Sequence, residues 1–168
     1  MFSDPEIWLC ATCGEQTAAD PCTVCGQPAA LQDRYRLMRR LGTGESSTTW
    51  LAWDAHEAQT VAIKELPWRA GDLQARARMV REAEVLQQLS HPGVPTYIDH
   101  FWTRQGRHHA MCLIEEHVPG PTLLEEAKTR RYSRAEVLDI MEELLGTLVY
   151  LHERSPAVLH RDLKPANV

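Results

Sequence analysis

Apolar and polar positions alternate along much of the chain between residues 35 and 116, and this pattern predicts five β-strands. The predicted strands cover residues 35–41, 48–53, 60–66, 96–102 and 110–115. Between the third and fourth strands, apolar residues recur at helical spacing over 72–88, and Asp72 is placed to cap that helix. Because polar turns, including one at 104–109, separate the strands, we expect an antiparallel sheet with one helix against it, which is an α+β fold.

The last third of the chain has a helical pattern. The sequence Pro-Gly-Pro at 119–121 breaks the chain, and a short helix is predicted from Thr122. Ser133 and Glu136 have the spacing of a capping box, which marks the start of a second helix. Apolar residues then recur at helical spacing, at positions 137, 140, 141, 144, 145, 148, 149 and 151. This periodicity predicts a helix of about twenty residues.

Four of the five cysteines lie in one short segment, as the pairs Cys10/Cys13 and Cys22/Cys25. Two residues separate the members of each pair, and the glycine after each pair permits a tight turn that aims two thiolates at one ion. Four sulfurs from two such knuckles suit tetrahedral zinc. We therefore predict a zinc-ribbon-like module over residues 1–30, which needs its metal to fold because so short a segment buries little apolar surface.

Two other interpretations of these cysteines remain open, namely a pair of disulfides and a redox-active Cys-x-x-Cys. Disulfides are rare inside cells, and a redox motif normally occurs once, within a βαβ unit. The fifth cysteine, Cys112, stands in an apolar stretch of a predicted strand, so we expect it to be buried and chemically inert.

Composition adds bounds on the function. The 168 residues carry 18 Lys+Arg against 23 Asp+Glu, a net charge of −5, which argues against a chain that mainly coats nucleic acid. Residues 1–30 contain no Lys or Arg, so nucleic-acid binding by the cysteine module is not expected. No apolar run approaches the roughly 18 residues of a membrane span, and the acidic N-terminus lacks the features of a signal peptide. The predicted location is cytoplasmic, with no membrane segment in these residues.

A glycine-rich turn and a lysine-bearing strand carry the first candidate chemistry. Gly42 and Gly44 lie between the first two predicted strands, where backbone N–H groups could approach phosphate oxygens because no Cβ intervenes. On the third strand, Ala62 and Lys64 share one face, which leaves room for a flat base with an ammonium near its phosphates. The alternatives are an ordinary hairpin turn and a solvated strand lysine.

Glu82 borders the apolar stripe of the predicted helix over 72–88. A carboxylate near the inward face of a helix needs a partner, and Lys64 is the candidate. The alternative is a surface pair with Arg78, one turn earlier on the same helix.

The segment 160–167, which reads HRDLKPAN, follows the long predicted helix. Asp162 could orient and deprotonate a hydroxyl, Lys164 could stabilise a phosphoryl group in transfer, and Asn167 could hold a divalent metal. The glycine turn, Lys64 and the segment 160–167 follow one another along the chain in this order. With these motifs, residues from about 34 to 168 resemble the N-terminal portion of a eukaryotic-like Ser/Thr protein kinase. With four cysteines upstream, the chain is similar to zinc-knuckle kinases of bacterial type.

The resemblance implies a domain order. It implies a four-cysteine zinc-knuckle module at 1–30, a linker at 31–33, a kinase N-lobe at 34–116 with a five-stranded antiparallel sheet and one helix, and a hinge with the first C-lobe helices at 117–168. Its implied ligands are ATP, Mg²⁺ and Zn²⁺, and its implied partner is a protein substrate that accepts phosphate on Ser or Thr.

The resemblance also implies roles for single residues. Catalysis would use Asp162 as the base and Lys164 at the phosphates, with Lys64 on the α/β-phosphates and paired with Glu82. Nucleotide binding would involve Gly42, Gly44, Thr49, Ala62, Lys64, Glu116, Val118 and Asn167. Asn167 would be a magnesium ligand, and the backbone of Glu116 and Val118 would hydrogen-bond adenine.

Three departures from the kinase pattern stand out. Ser47 replaces the third glycine of the loop, and Thr49 replaces the usual valine, for which we expect modest effects. Glu115 precedes the hinge at the back of the purine pocket, where a carboxylate needs a donor, either the adenine amino group or a protein group. The sequence ends one residue after Asn167, before the Asp-Phe-Gly and activation segments of kinases.

From this we expect negligible kinase activity of the 168 residues alone and an exposed apolar patch on the long helix. The alternative function is a non-catalytic one, in which a nucleotide-binding pseudokinase lobe and the zinc module act as an adaptor by protein association.

Overall fold

A computed structural model describes residues 4–44, 47–68, 71–105 and 108–168. They form two compact units, the first made of the described residues of Met1–Gln88 and Thr96–His117, the second of Leu89–Pro95 and Val118–Val168. The loop positions 45 and 46, and positions 106 and 107 of the expected polar turn, lie outside the described residues.

The first unit is built on an antiparallel sheet whose strand order is β2-β1-β3-β4-β5-β7-β6. The strands are β1 (Trp8–Leu9), β2 (Gln16–Thr17), β3 (Tyr35–Thr43), β4 (Thr48–Asp54), β5 (Gln59–Pro67), β6 (Tyr97–Gln105) and β7 (His108–Glu116). The predicted α+β fold with a five-stranded kinase-type sheet is confirmed in β3–β7, which end within three residues of the predicted bounds. The cysteine module adds two further strands at the edge of this sheet.

Helix α1 (Leu73–Gln87) packs on one face of the sheet. Its start is fixed by Asp72, whose side chain accepts a hydrogen bond from the backbone N–H of Ala75 at 2.8 Å, as the sequence predicts. Ala83 is buried against Met111 and Leu113 of β7. This contact holds the helix beside the strand face that also carries Lys64.

The opposite face of the sheet is covered by residues near the N-terminus. Tyr35, Leu37, Val61, Ile63, Cys112 and Ile114 form a buried cluster on that face, together with Leu31. Leu9 and Ala11 of the cysteine module pack against the cluster. Leu31 belongs to the predicted linker, yet it is only 5% exposed and its backbone bonds that of Tyr35. Leu31 is therefore part of the apolar cluster on the sheet, and the segment before β3 packs with the sheet instead of separating it from the cysteine module.

The second unit contains α2 (Leu123–Thr129) and α3 (Arg134–His152), followed by a 3₁₀ turn at Pro165–Asn167. Each α-helix begins with a full capping box, Thr122 with Glu125 and Ser133 with Glu136, and the predicted box at Ser133 is confirmed. Exposed apolar side chains follow one another along α3, at Val137, Leu138, Met141, Leu145 and Val149. Among the described residues, no helix is long and apolar enough to cross a lipid bilayer.

Candidate functional site

The two cysteine pairs form two turns of the same geometry. In the first, Gly14 N–H donates to the Cys10 carbonyl at 2.8 Å, and in the second, Gly26 N–H donates to the Cys22 carbonyl at 2.9 Å. Both glycines have positive φ, +79° and +68°, which a residue with a Cβ adopts only with strain. The sequence therefore folds into two turns, or knuckles, and each knuckle brings the two sulfurs of its own cysteine pair to the same side.

The four sulfurs of Cys10, Cys13, Cys22 and Cys25 lie within 4.8 Å of one another. The Cys10–Cys25 and Cys13–Cys22 Sγ distances are 3.8 and 3.9 Å, which excludes disulfides at these pairs because bonded sulfurs lie about 2.05 Å apart. A tetrahedron with Zn–S bonds of about 2.3 Å has sulfur–sulfur edges of about 3.8 Å. The four cysteines could therefore hold one zinc ion as its complete ligand set.

Backbone N–H groups stabilise the thiolate form of these cysteines. Thr12 N–H approaches Cys10 Sγ and Val24 N–H approaches Cys22 Sγ, both at 3.4 Å. The backbone N–H groups of Cys25 and Val24 lower the pKa of Cys22 to about 6. Since the thiolate is the form that binds metal, this hydrogen bonding favours metal binding at Cys22. At Cys13 and Cys25 backbone N–H groups act in the same direction, but burial and neighbouring cysteines raise the pKa of Cys13 to about 12 and also raise that of Cys25.

Lys64 of β5 is placed by strand register. Across the β5–β7 pair, Ala62 lies opposite Glu115 and Lys64 lies opposite Leu113, so all four side chains share one face of the sheet. Helix α1 brings Glu82 to the same face, and Lys64 Nζ lies 3.9 Å from Glu82 Oε1. Of the two partners considered for Glu82, the ion pair in the structure is with Lys64. The side chains of Lys64 and Glu82 are 36% and 54% exposed, so a ligand can reach the ammonium.

The glycine turn links β3 to β4. Gly42 lies opposite Thr49, and Gly44 N–H donates to the Ser47 carbonyl at 2.8 Å, which closes the turn. A Cβ added to Gly42 would meet no atom of the described residues within 4 Å. Packing within the described part of the protein therefore does not require a glycine at 42, where the register of β3 against β4 is irregular between Arg40 and Gly42.

The end of β7 is anchored by a residue that sequence reasoning missed, Thr96. Glu116 N–H donates to the Thr96 carbonyl at 2.8 Å, and the Glu116 carboxylate accepts from both the N–H and the hydroxyl of Thr96. Thr60 Oγ1 lies 3.3 Å from His117 Nδ1. These contacts fix the chain at the start of the predicted hinge, and nothing in the sequence around Thr96 signalled them. Val118, in the second unit, is exposed.

The second unit brings Asp162, Lys164 and Asn167 together. Lys164 Nζ donates to both carboxylate oxygens of Asp162, at 3.0 and 2.8 Å. Asn167 Nδ2 donates to the Asp162 carbonyl at 2.7 Å and to its Oδ2 at 3.0 Å. Lys164 and then Asn167 lower the pKa of Asp162 below its ordinary value. This cluster holds an ionised, exposed carboxylate beside an ammonium, an arrangement suited to orienting a hydroxyl next to a phosphoryl group.

The chain is similar in sequence to known protein kinases. Residues 35–168 match the protein kinase domain family. The chain is 32% identical to Serine/threonine-protein kinase B of Synechocystis over 155 residues, which is 88% of this chain and 26% of that protein. It is also 32% identical to Serine/threonine-protein kinase pkn2 of Myxococcus xanthus, over 82% of this chain and 16% of the relative. Serine/threonine-protein kinase tousled-like 1 of Caenorhabditis elegans matches at 32% identity over 82% of this chain and 15% of its own length. The chain thus spans about a quarter or less of each of these relatives.

Proposed function

The chain belongs to the protein kinase domain family, and we propose that it is the ATP-facing part of a protein Ser/Thr kinase with a zinc-bound module at its N-terminus. The observation that carries this proposal is the cluster of Asp162, Lys164 and Asn167, in which one carboxylate is held by an ammonium and an amide. A lysine two residues after the aspartate is typical of kinases that act on serine and threonine.

In this proposal, Asp162 accepts the proton of a substrate hydroxyl as the hydroxyl oxygen bonds to the γ-phosphorus of ATP. The bond between that phosphorus and the bridging oxygen breaks, and ADP leaves with the electron pair. Lys164 stabilises the charge that develops on the transferred group. Mg²⁺, for which Asn167 offers an amide oxygen, would neutralise the phosphate oxygens.

The first unit would bind the nucleotide. Lys64, held by Glu82, contacts the α/β-phosphates, while the glycine turn at Gly42 and Gly44 covers them. Ala62 and Thr49 border the purine, and the backbone of Glu116 and Val118 binds its edge. In this proposal the ligand of the first unit is ATP, and the partner is a protein substrate that offers a Ser or Thr hydroxyl.

Zinc has a structural role in this proposal. Cys10, Cys13, Cys22 and Cys25 provide four ligands, which leaves no open position for catalysis at the metal. Four free thiols that converge on one ion are typical of a reducing compartment, which supports the predicted cytoplasmic location.

The residues given contain no Asp-Phe-Gly sequence, so we propose that they bind MgATP without appreciable phosphoryl transfer by themselves. Titration calorimetry of the 168-residue chain with MgATP tests the binding. We expect Lys64→Met to weaken ATP at least tenfold and Lys128→Met, on the exposed surface of α2, to leave it unchanged. Equal affinity in wild type and Lys64→Met would contradict the assigned site.

A kinase assay separates the enzyme from the non-catalytic alternative. The coding sequence downstream of codon 168 decides which chain to test. If the frame continues into Asp-Phe-Gly, the longer protein should phosphorylate a generic Ser/Thr substrate, and Asp162→Asn should abolish transfer while ATP still binds. A stop codon there, with ATP binding and no transfer, would instead favour the adaptor.

A further inference from the structure

Glu115 occupies an unusual place for a carboxylate. It lies on β7 opposite Ala62 of β5 and opposite Tyr97 of β6, in the middle of three paired strands. Lys64 is two residues further along β5, opposite Leu113, so Glu115 and Lys64 are diagonal neighbours on the same face. Diagonal positions of an antiparallel pair are within reach of long side chains. The register therefore provides Lys64 with a second carboxylate, in addition to Glu82 on α1.

The charges at this face are coupled. Burial raises the pKa of Glu115 above its ordinary value, the Lys64 ammonium acts in the opposite direction, and the Glu82 carboxylate raises it further. In the structure, Lys64 Nζ lies on the Glu82 side, at 3.9 Å, which is long for an ion pair. Two carboxylates thus act on one ammonium, one from the helix and one from the sheet.

We propose that Glu115 is a second partner of Lys64, which shares the ammonium with Glu82 and thereby weakens its engagement with ATP phosphates. This inference deepens the proposed function, since it rests on Lys64 as the phosphate-contacting residue. Glu115 is a positioning residue here, because it acts on the nucleotide through Lys64. In this proposal the partner of the Glu115 carboxylate is the ammonium of Lys64, not the adenine amino group.

The charge of Glu115 should affect the binding of ATP, which carries phosphates, but not the binding of adenosine, which carries none. An ionised Glu115 attracts the ammonium and repels the triphosphate, so it lowers the affinity for ATP. Adenosine carries no phosphate, and its binding is therefore insensitive to this competition. An acceptor for the adenine amino group would behave differently, because its loss would weaken adenosine and ATP alike.

The first test needs no nucleotide. A neighbouring carboxylate favours the protonated ammonium, which does not react with acylating reagents. The rate of Lys64 acylation is measured by peptide mass spectrometry on the zinc-loaded chain. It should rise about twofold in Glu115→Gln and in Glu82→Gln, because one carboxylate still acts on the ammonium in each. It should rise more than tenfold in the double variant, in which both partners are lost. Glu65→Gln is the matched control, because Glu65 is adjacent to Lys64 but bonds Trp50 on the other face of the sheet. A double variant that reacts no faster than Glu82→Gln overturns the proposal.

The second test compares ligands by calorimetry. We expect Glu115→Gln to bind ATP roughly fivefold more tightly than wild type, as removal of one partly screened charge predicts, and adenosine within twofold of wild type. Weaker binding of both ligands would assign Glu115 to adenine and overturn the proposal. If wild type binds no ATP, the proposed function is wrong, and so is the proposed effect of Glu115 on ATP affinity. The acylation rates still decide whether Glu115 shares the ammonium of Lys64 with Glu82.

Discussion

Leu9 of the cysteine module lies directly opposite Leu37 of β3, so the module continues the antiparallel sheet of the kinase fold. Leu9 and Ala11 also pack on the sheet face that holds Leu37 and Ile63. Ile63 is flanked on β5 by Ala62 and Lys64, which point to the other face. The cysteine module is therefore joined by backbone pairing and by apolar contact to the sheet that carries Ala62 and Lys64.

The first prediction concerns loss of the metal. Cys13→Ser removes one sulfur from an exposed position and should lower the zinc content from one per chain to well below one. Because so short a module should need its ion to fold, we expect the melting temperature of the chain to fall by about 10 °C, equivalent to about 3 kcal/mol. Metal analysis and thermal unfolding measure the two effects, with Thr23→Ser, at an exposed position of the second knuckle, as the control. Loss of zinc without a change in melting temperature would show that the module is independent of the sheet.

The second prediction concerns Leu31, which is buried between the module and the sheet. Truncation of such a residue leaves a cavity, so Leu31→Ala should reduce the free energy of unfolding by about 2–4 kcal/mol. Leu73→Ala is the control, since Leu73 is 72% exposed and its removal should cost little. Urea denaturation of both variants measures the difference. Similar values for the two would mean that residues 31–33 act as a free linker.

The third prediction concerns Cys112. Burial first, and the nearby Glu65 carboxylate second, raise the pKa of Cys112 to about 12, so almost no thiolate is present at neutral pH. We expect no alkylation of Cys112 by iodoacetamide at pH 8 in the native chain and full alkylation in denaturant. Peptide mass spectrometry measures this, and the four module cysteines of the denatured, zinc-free chain are the reactive control. Equal rates in native and denatured protein would contradict a buried thiol.

Local features of the fold could be predicted from the sequence. The start of α3 follows from Ser133 and Glu136, because a capping box is a contact between residues three apart. The knuckles likewise follow from Cys-x-x-Cys-Gly, since each turn closes within five residues. The face shared by Ala62 and Lys64 follows from strand alternation alone.

Features that depend on pairing of distant segments could not be predicted in the same way. The pairing of β1 with β3 places Leu9 opposite Leu37. A two-residue strand is too short to show an alternation of apolar and polar residues from which it could be predicted. The diagonal placement of Glu115 and Lys64 could not be predicted, because it depends on the register of β5 against β7. The anchor of Glu116 on Thr96 likewise needs the fold, because the two residues meet only once β6 and β7 pair.

The last prediction concerns the buried ion pair of Arg34 and Asp54. Arg34 Nε donates to Asp54 Oδ1 at 2.7 Å, its terminal nitrogen donates to Oδ2 at 2.6 Å, and the carboxylate is completely buried. Burial alone would raise the pKa of Asp54, but Arg34 and the N–H groups of His56 and Glu57 lower it below its ordinary value. Because the folded-state pKa is lowered, this stabilisation is present above the unfolded pKa of about 3.9 and is lost as the pH falls below it.

Asp54→Asn leaves the partly buried guanidinium of Arg34 without its counter-charge, so we expect it to cost about 3 kcal/mol of unfolding free energy at pH 7. The difference between wild type and Asp54→Asn should stay constant from pH 7 to pH 5 and shrink below about pH 4, where the Asp54 carboxylate of the unfolded chain takes up a proton while the folded protein still holds it ionised. Urea denaturation at each pH measures this difference, in which any loss of zinc at acid pH cancels because both proteins share it. Asp139→Asn, at an exposed position of α3, should show no difference from wild type at any of these pH values. A cost for Asp54→Asn that does not change between pH 7 and pH 3.5 would mean that the ionised carboxylate is not what stabilises this corner of the sheet.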